Sequence, residues 1–279
     1  MARRPFALPF PKTTAMSSHQ DRLDFALDLA RQAGQFALGH FRAIDTLAIE
    51  SKGHQDLVSN ADRDTETLVR DAIAARFPDD GIVGEEHGRV HGTSGFDWVI
   101  DPIDGTANFV RGIPQWCVAL ACTQDGEPVV GVIYEPASGE MFSALRGGGA
   151  FVNGKPMRAS TAASLTEGSV MVGVSGRTDP QVAVALVEAI VSQGGMFFRN
   201  ASGALGLAYA ASGRLLGYVE EHMNSWDCLA GLLMVEEAGG ATLPIDPGTA
   251  LDHGTRVVAG GAAIYPALSA IAEHAFPPR

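Results

Sequence analysis

Residues Trp98-Val99-Ile100-Asp101-Pro102-Ile103-Asp104-Gly105-Thr106 constrain this chain more than any other stretch. An apolar run that reads as the end of a buried strand passes into two aspartates three residues apart, with a proline between them and a glycine after them. Side chains alternate faces along a strand, so Asp101 and Asp104 converge only where the backbone bends, and the proline and glycine supply the bend. Two carboxylates brought to about 4 Å repel by roughly 4 kcal/mol at an effective dielectric near 20. A fold built around this stretch has to place positive charge between them.

The flanking sequence supplies two helices before the stretch and strands around it. Leu23, Leu27, Ala30, Phe36 and Phe41 recur at roughly helical spacing over Asp21 to Arg42, and Leu68, Ala72 and Ala75 do so over Asp62 to Arg76, where Pro78 ends the pattern. Short β-prone runs separated by Asp-Gly, Asn-Gly and Gly-rich turns then predict hairpins of an antiparallel or mixed sheet. From about residue 160 strands and helices alternate: a strand at Ser169 to Val174, helices at Pro180 to Gln193 and Ala204 to Ser212, a strand at Leu215 to Glu220, and a helix from Asp227 to Ala238. The expected division is a disordered arm over 1–18, a helix pair with its sheet over 19–160 carrying most of the acids, and a layered α/β half over 161–279 carrying Asp227.

Charge narrows the range of partners. The 279 residues hold 20 basic and 32 acidic side chains, a net −12, which leaves no electrostatic footprint for nucleic acid but allows phosphate binding through a metal. Cys117, Cys122 and Cys228 have no metal-ligand spacing and lie among apolar neighbours, as buried thiols in a reducing compartment do. The first residues are broken by Pro5, Pro9 and Pro11, too early for a signal-peptide core, and no window approaches the ~20 apolar residues that span a bilayer. A cytoplasmic protein with no membrane partner is expected.

Four acidic segments sit at the edges of elements: Asp56 and Asp62 in DLVSNAD, Glu85 and Glu86 in VGEE, Asp101 and Asp104 in DPIDGT, and Asp227 in NSWD. Singly, Asp62 and Asp227 suit helix N-caps and Glu86 a solvated turn. Together they suit a hard divalent cation, which takes oxygen ligands and keeps waters or substrate phosphate in its remaining positions. An EF-hand loop fails at Ile103 and Gly112 if it starts at Asp101, and at Thr67 and Ile73 if it starts at Asp62. The run around Asp64 lacks the strand that an aspartyl-phosphate phosphatase needs. The loop ending in Gly154-Lys155 puts Pro156 where a phosphate-binding loop needs Ser or Thr, and reads better as a hairpin turn at Asn153-Gly154. No serine-hydrolase elbow and no H-E-x-x-H zinc motif occurs.

WVIDPIDGTANF and WDCLAGLLMVEEAGG resemble the two signatures of the inositol monophosphatase family of Mg²⁺-dependent, lithium-sensitive phosphatases, and DLVSNAD, VGEE and GGGAFVNGKPM follow the same order. The resemblance implies an α/β fold, an αβαβα sandwich of the sugar-phosphatase type, in a homodimer. It also implies two or three Mg²⁺ ions, bound by Glu85, Asp101, the backbone carbonyl of Ile103, Asp104 and Asp227, with Asp62 beside a third ion or its water. Thr106 would orient the attacking water with Lys52 nearby. Asp104, Gly105, Thr106, Ser202, Glu220, His222 and Asp227 would meet the substrate.

That substrate would be a small polyol phosphate, inositol monophosphate first, hydrolysed without a covalent phosphoenzyme. Histidinol phosphate, fructose bisphosphate and 3'(2'),5'-bisphosphate nucleotides are the alternatives within the family. A metal-binding regulator without turnover is the alternative outside it. Glu220 is expected to accept bonds from substrate hydroxyls. His222, standing where the family commonly has glycine, either narrows that pocket or faces solvent.

Overall fold

The computed structural model describes residues 19–53, 56–176 and 178–278, the side chains of Thr46, 51–53, 56 and 57 lying outside that description. The arm expected over 1–18 falls outside it too. The chain opens with α1 (His19–Arg42), a short hairpin β1 (Ile49–Gly53) and β2 (Asp56–Ser59), and α2 (Asn60–Arg76). Next come β3 (Gly81–Gly84), β4 (Gly88–Val90), β5 (Phe96–Asp104), the single turn α3 (Thr106–Phe109), β6 (Cys117–Gln124), β7 (Glu127–Glu135), β8 (Glu140–Leu145), β9 (Gly149–Val152) and β10 (Lys155–Pro156). The remainder is β11 (Ser169–Val172), α4 (Pro180–Ser192), β12 (Met196–Phe198), α5 (Gly203–Ala211), β13 (Gly217–Met223), α6 (Ser225–Glu237), β14 (Gly240–Thr242), α7 (Ala250–His253), β15 (Thr255–Gly261) and α8 (Tyr265–Ala275).

These strands form an eight-stranded sheet in the order β10-β9-β8-β7-β6-β5-β3-β4 and a five-stranded sheet in the order β12-β11-β13-β15-β14. Strand alternation then sets the layers. Val118, Leu120 and Cys122 of β6 face one way, with Trp98 and Ile100, and bury against Phe25, Leu29, Val69 and Ile73 of α1 and α2. Cys117, Ala119 and Ala121 face the other way, into a cluster shared with Leu205 and Leu207 of α5 and Leu229 and Leu233 of α6. Beyond the second sheet, Leu186 and Ile190 of α4 and Leu268 and Ile271 of α8 close the stack. The result is helices, sheet, helices, sheet, helices: the αβαβα sandwich expected. Helix α6 lies between the two sheets, and Cys228 through Val235 are buried without a break.

Three local expectations are corrected. The strand entering the aspartates does not end at Ile100 but runs to Asp104. Its ladder with β6 pairs Asp101 with Ala119 and Asp104 with Cys117, three residues against two. That extra residue is a β-bulge at Pro102-Ile103, and it turns both carboxylates to one side where regular alternation would separate them. Asp62 and Asp227 are not N-caps either. Ser59 and Asn224 are, and each acid sits at the third helical position, accepting the cap's own N–H at 2.9 Å and 3.3 Å. The segment around Asn153-Gly154 is a hairpin turn between β9 and β10, as read, and the three thiols are buried and unpaired.

Candidate active site

The site forms where strand ends meet. β3 and β5 run parallel and deliver Glu85, Asp101 and Asp104, while β11, β12 and β13 run parallel in the second sheet and deliver the residues that follow Val172, Phe198 and Val219. A cleft of about 430 Å³ opens there, lined by Glu85, Asp104, Gly105, Thr106, Arg199, Ser202, Glu220 and Asp227 among others. Ligand clefts at the carboxyl ends of strands are the rule for layered α/β folds.

Asp101, Asp104 and Asp227 each bring a carboxylate oxygen within 4.8 Å of the others. At that spacing each ionised pair repels by about 3 kcal/mol at an effective dielectric near 20. Burial, then the charges of Glu85, Asp104 and Asp227, hold Asp101 well above the usual carboxylate range. Asp104 is raised by burial, against the bonds it accepts from Ser202, Ala204 and Gly203. Arg199 is the one basic side chain lining the cleft among the described residues. An all-oxygen donor set without a neutralising side chain inside it fits a hard divalent cation.

Asp104 is also fastened to the protein. It accepts from Ser202 Oγ at 2.5 Å, Ala204 N at 2.8 Å and Gly203 N at 3.2 Å, so the leading amides of α5 hold this carboxylate. Ser202, expected at the substrate, therefore lines the cleft with its hydroxyl turned to Asp104.

Thr106 Oγ1 lies 3.0 Å from Asp62 Oδ1 and 3.0 Å from the Ile103 carbonyl. Its single proton serves one of them at a time, which leaves hydroxyl lone pairs for a water in the cleft. Asp62, raised by burial against bonds from Ser59 and Thr106, is thus joined to the loop of Asp104. The residue between them and the turn has to be glycine: Gly105 has φ 97°, and a Cβ there would meet the Gln115 carbonyl at 2.9 Å.

Glu220 lines the wall of the cleft formed by β13. It is buried, takes a 2.5 Å bond from the Tyr218 hydroxyl, and burial pushes its carboxyl up to about 7. His222 does not line the cleft; its Nε2 meets the His253 carbonyl at 2.9 Å. The side chain of Lys52 lies outside the described residues. Arg199 and Tyr218 were missed from sequence. Arg199 directly follows β12, and a polar residue there was the available signal; Tyr218 is the second residue of β13, inside the strand, and nothing in the local sequence set it apart.

The sequence model of the inositol monophosphatase family matches residues 18–275. The chain is 38% identical over 213 residues to the Nus factor SuhB of Xylella fastidiosa, covering 76% of this chain and 77% of that protein. It is 36% identical over 250 residues to the inositol-1-monophosphatase of Mesorhizobium japonicum, covering 88% and 94%. Its fold superposes on the crystal structure of the extragenic suppressor protein SuhB of Bartonella henselae with a TM-score of 0.85 at 30% identity, covering 91% of this chain and 98% of that one.

Proposed function

The chain belongs to the inositol monophosphatase family, and from that premise we propose that it hydrolyses the phosphate monoester of a small polyol, inositol monophosphate first, with Mg²⁺. The observation that carries the reading is the meeting of Asp101, Asp104 and Asp227 within 4.8 Å, beside a threonine hydroxyl held by a buried aspartate. Glu85, Asp101, the Ile103 carbonyl, Asp104 and Asp227 would hold two ions, with Asp62 beside a third. Bound there, Mg²⁺ would supply an acidified water and neutralise the phosphate.

The protein's own groups do the positioning. Asp62 or the Ile103 carbonyl accepts the hydrogen bond of the Thr106 hydroxyl, which leaves the lone pairs of Thr106 Oγ1 to accept from the attacking water and hold it oriented toward phosphorus. Gly105, Thr106 and Ala107 line the cleft, so the leading amides of α3, which have no acceptor inside that turn, stand beside the phosphate. Glu220 Oε2 is occupied by Tyr218, which leaves Oε1 to accept substrate hydroxyls. Release of phosphate from inositol, histidinol, sugar and nucleotide phosphates, with and without Mg²⁺, tests the reading. Absence of turnover on every member with Mg²⁺ present would favour a second reading, a factor without catalysis, for which the support is the Nus factor naming of relatives such as that of Xylella fastidiosa.

Cytoplasmic location, inhibition by Li⁺ and a homodimer belong to the same proposal. No described helix is long and apolar enough to cross a membrane. Support for the dimer is an apolar face on α4 and edge strand β12, where Val184, Val191, Met196 and Phe197 are at least half exposed.

Three results follow from the site. Thr106→Ala should lower kcat ten- to thirtyfold, about 1.4–2 kcal/mol, with KM nearly unchanged, because the hydroxyl holds water and not substrate. Steady-state kinetics at saturating Mg²⁺ reads this directly, and an equal rise in KM would place Thr106 on the substrate. Glu220→Gln should lose more than tenfold on the preferred polyol phosphate, at least about 1.4 kcal/mol, and little on an aryl phosphate that has no vicinal hydroxyls. Equal losses on both would remove Glu220 from substrate selection. His222→Gly should leave the rank order unchanged, since the imidazole is turned to His253.

A further inference from the structure

Glu66 is a fully buried carboxylate that the proposed chemistry does not use, one helical turn beyond Asp62 on α2. Its Oε2 accepts the N–H of Glu86 at 2.7 Å, and its Oε1 accepts that of His87 at 3.2 Å. Arg70, a turn further along, donates Nη1 to Glu66 Oε1 at 2.9 Å and to the Gly88 carbonyl at 3.0 Å. Residues 85–87 are the connection between β3 and β4, with Gly84 paired to Gly88. Both amides that follow Glu85, and the carbonyl that closes the turn, are therefore tied to one helix.

Satisfying those amides did not require a buried charge. His87 and Gly88 are exposed, and a surface turn can give its amides to water. The chain instead buries an ion pair beneath the turn, an arrangement that water-filled alternatives avoid because of its desolvation cost. Gly84 is shaped to it: a Cβ there would meet Glu66 Oε1 at 2.1 Å and Arg70 Nη1 at 2.9 Å. The same helix carries Asp62, which grips Thr106. Two walls of the cleft, one bearing Glu85 and one bearing Thr106, are thus set by residues four apart on α2.

We infer that Glu66 is a positioning residue for Glu85: it fixes the turn that presents Glu85 to the cleft, and so sets the strength of divalent-cation binding. This rests on the reading of Glu85 as a cation ligand. A carboxylate on a fixed turn is already where the ion needs it, whereas one on a loose turn must be ordered during binding. An amide at position 66 would keep one oxygen acceptor and turn an NH₂ toward the other backbone N–H, which frees the turn.

Isothermal titration calorimetry of the full chain with Mg²⁺ alone, without substrate, tests this. Glu66→Gln should weaken Mg²⁺ binding at least tenfold and raise the Mg²⁺ concentration for half-maximal phosphate release equally, while kcat at saturating Mg²⁺ stays within threefold. Gly84→Ala, which displaces the carboxylate and keeps every charge, should do the same and decides the matter if Glu66→Gln does not fold. In the metal-free wild type the Glu86 and His87 amides should exchange with solvent at least a hundredfold more slowly than an open turn, and free exchange would overturn the inference without any variant. A lower melting temperature with unchanged Mg²⁺ affinity in both variants would overturn it too, leaving Glu66 a fastener of the fold only. Glu85→Gln is measured alongside: unchanged affinity there overturns the ligand role of Glu85, and a loss there without one in the other two variants overturns the positioning role alone.

Discussion

Replacing Asp101 by asparagine is expected to reduce phosphate release more than a thousandfold, about 4 kcal/mol, while raising the melting temperature of the metal-free protein by about 2 °C per kcal/mol of repulsion relieved. Asp101 faces the charges of Glu85, Asp104 and Asp227 with burial against it. An asparagine keeps the oxygen that accepts the Ile103 N–H at 3.0 Å and offers its NH₂ to Asp227. Asp104→Asn should lose activity as fully and gain no stability, because Asp104 takes donors from Ser202, Gly203, Ala204 and the Cys117 thiol and an amide would aim hydrogens at some of them. Phosphate assays and melting curves on the two variants separate these effects. A metal-free Asp101→Asn protein that melts below wild type would contradict the repulsion argument, and undiminished turnover in either variant would remove that aspartate from the chemistry.

The second large effect is expected from cation and pH together. Asp62, Asp101 and Asp104 are all raised on folding, with burial the first cause in each. A carboxyl raised on folding contributes its full stability below the unfolded value, near 3.9, and loses it as pH climbs through the folded value. The metal-free protein should therefore melt progressively lower as pH rises above about 4, and the decline should be shallower in Asp101→Asn. Cation binding requires the deprotonated carboxylates, so its stabilisation runs the opposite way with pH. At a hundredfold excess over Kd it amounts to about 2.7 kcal/mol, roughly 5 °C for a chain of this size. Scanning calorimetry with EDTA and with Mg²⁺ at pH 5 and pH 8 should give the larger cation shift at pH 8. Equal shifts at both pH values would mean that the ion does not compete with protons for these groups.

Much of the site was legible because its residues stand where local rules put them. Asp101, Asp104 and Thr106 follow an apolar run, and Asp62 and Asp227 stand in the first turns of helices, so edges of elements announced themselves even though the caps are Ser59 and Asn224. The bulge did not, because a proline signals a bend but not a register, and register is set by β6. Helix α6 was legible as a helix from its closing glycines, yet its burial on every side depends on two sheets meeting there. The buried pair of Arg22 with Asp80, 2.9 Å apart, and the grip of Glu66 on residues 86 and 87 join positions remote in sequence. Charged residues on helices read as solvated until the partner surface is known.

The burial of α6 between the sheets has a consequence for time. Glu85, Asp101 and Asp104 leave the ribosome about 120 to 140 residues before Asp227, on the order of 6–28 s at about 5–20 residues per second. This helix, buried from Cys228 through Val235, is not fully enclosed until β14 and β15, which follow it in the chain, pack against it. The nascent chain therefore carries its acidic loop without the last carboxylate and with no finished cleft. On the proposed reading a divalent cation would lock a completed product, and an interrupted or truncated chain would be inert toward phosphate esters however well its first sheet had formed.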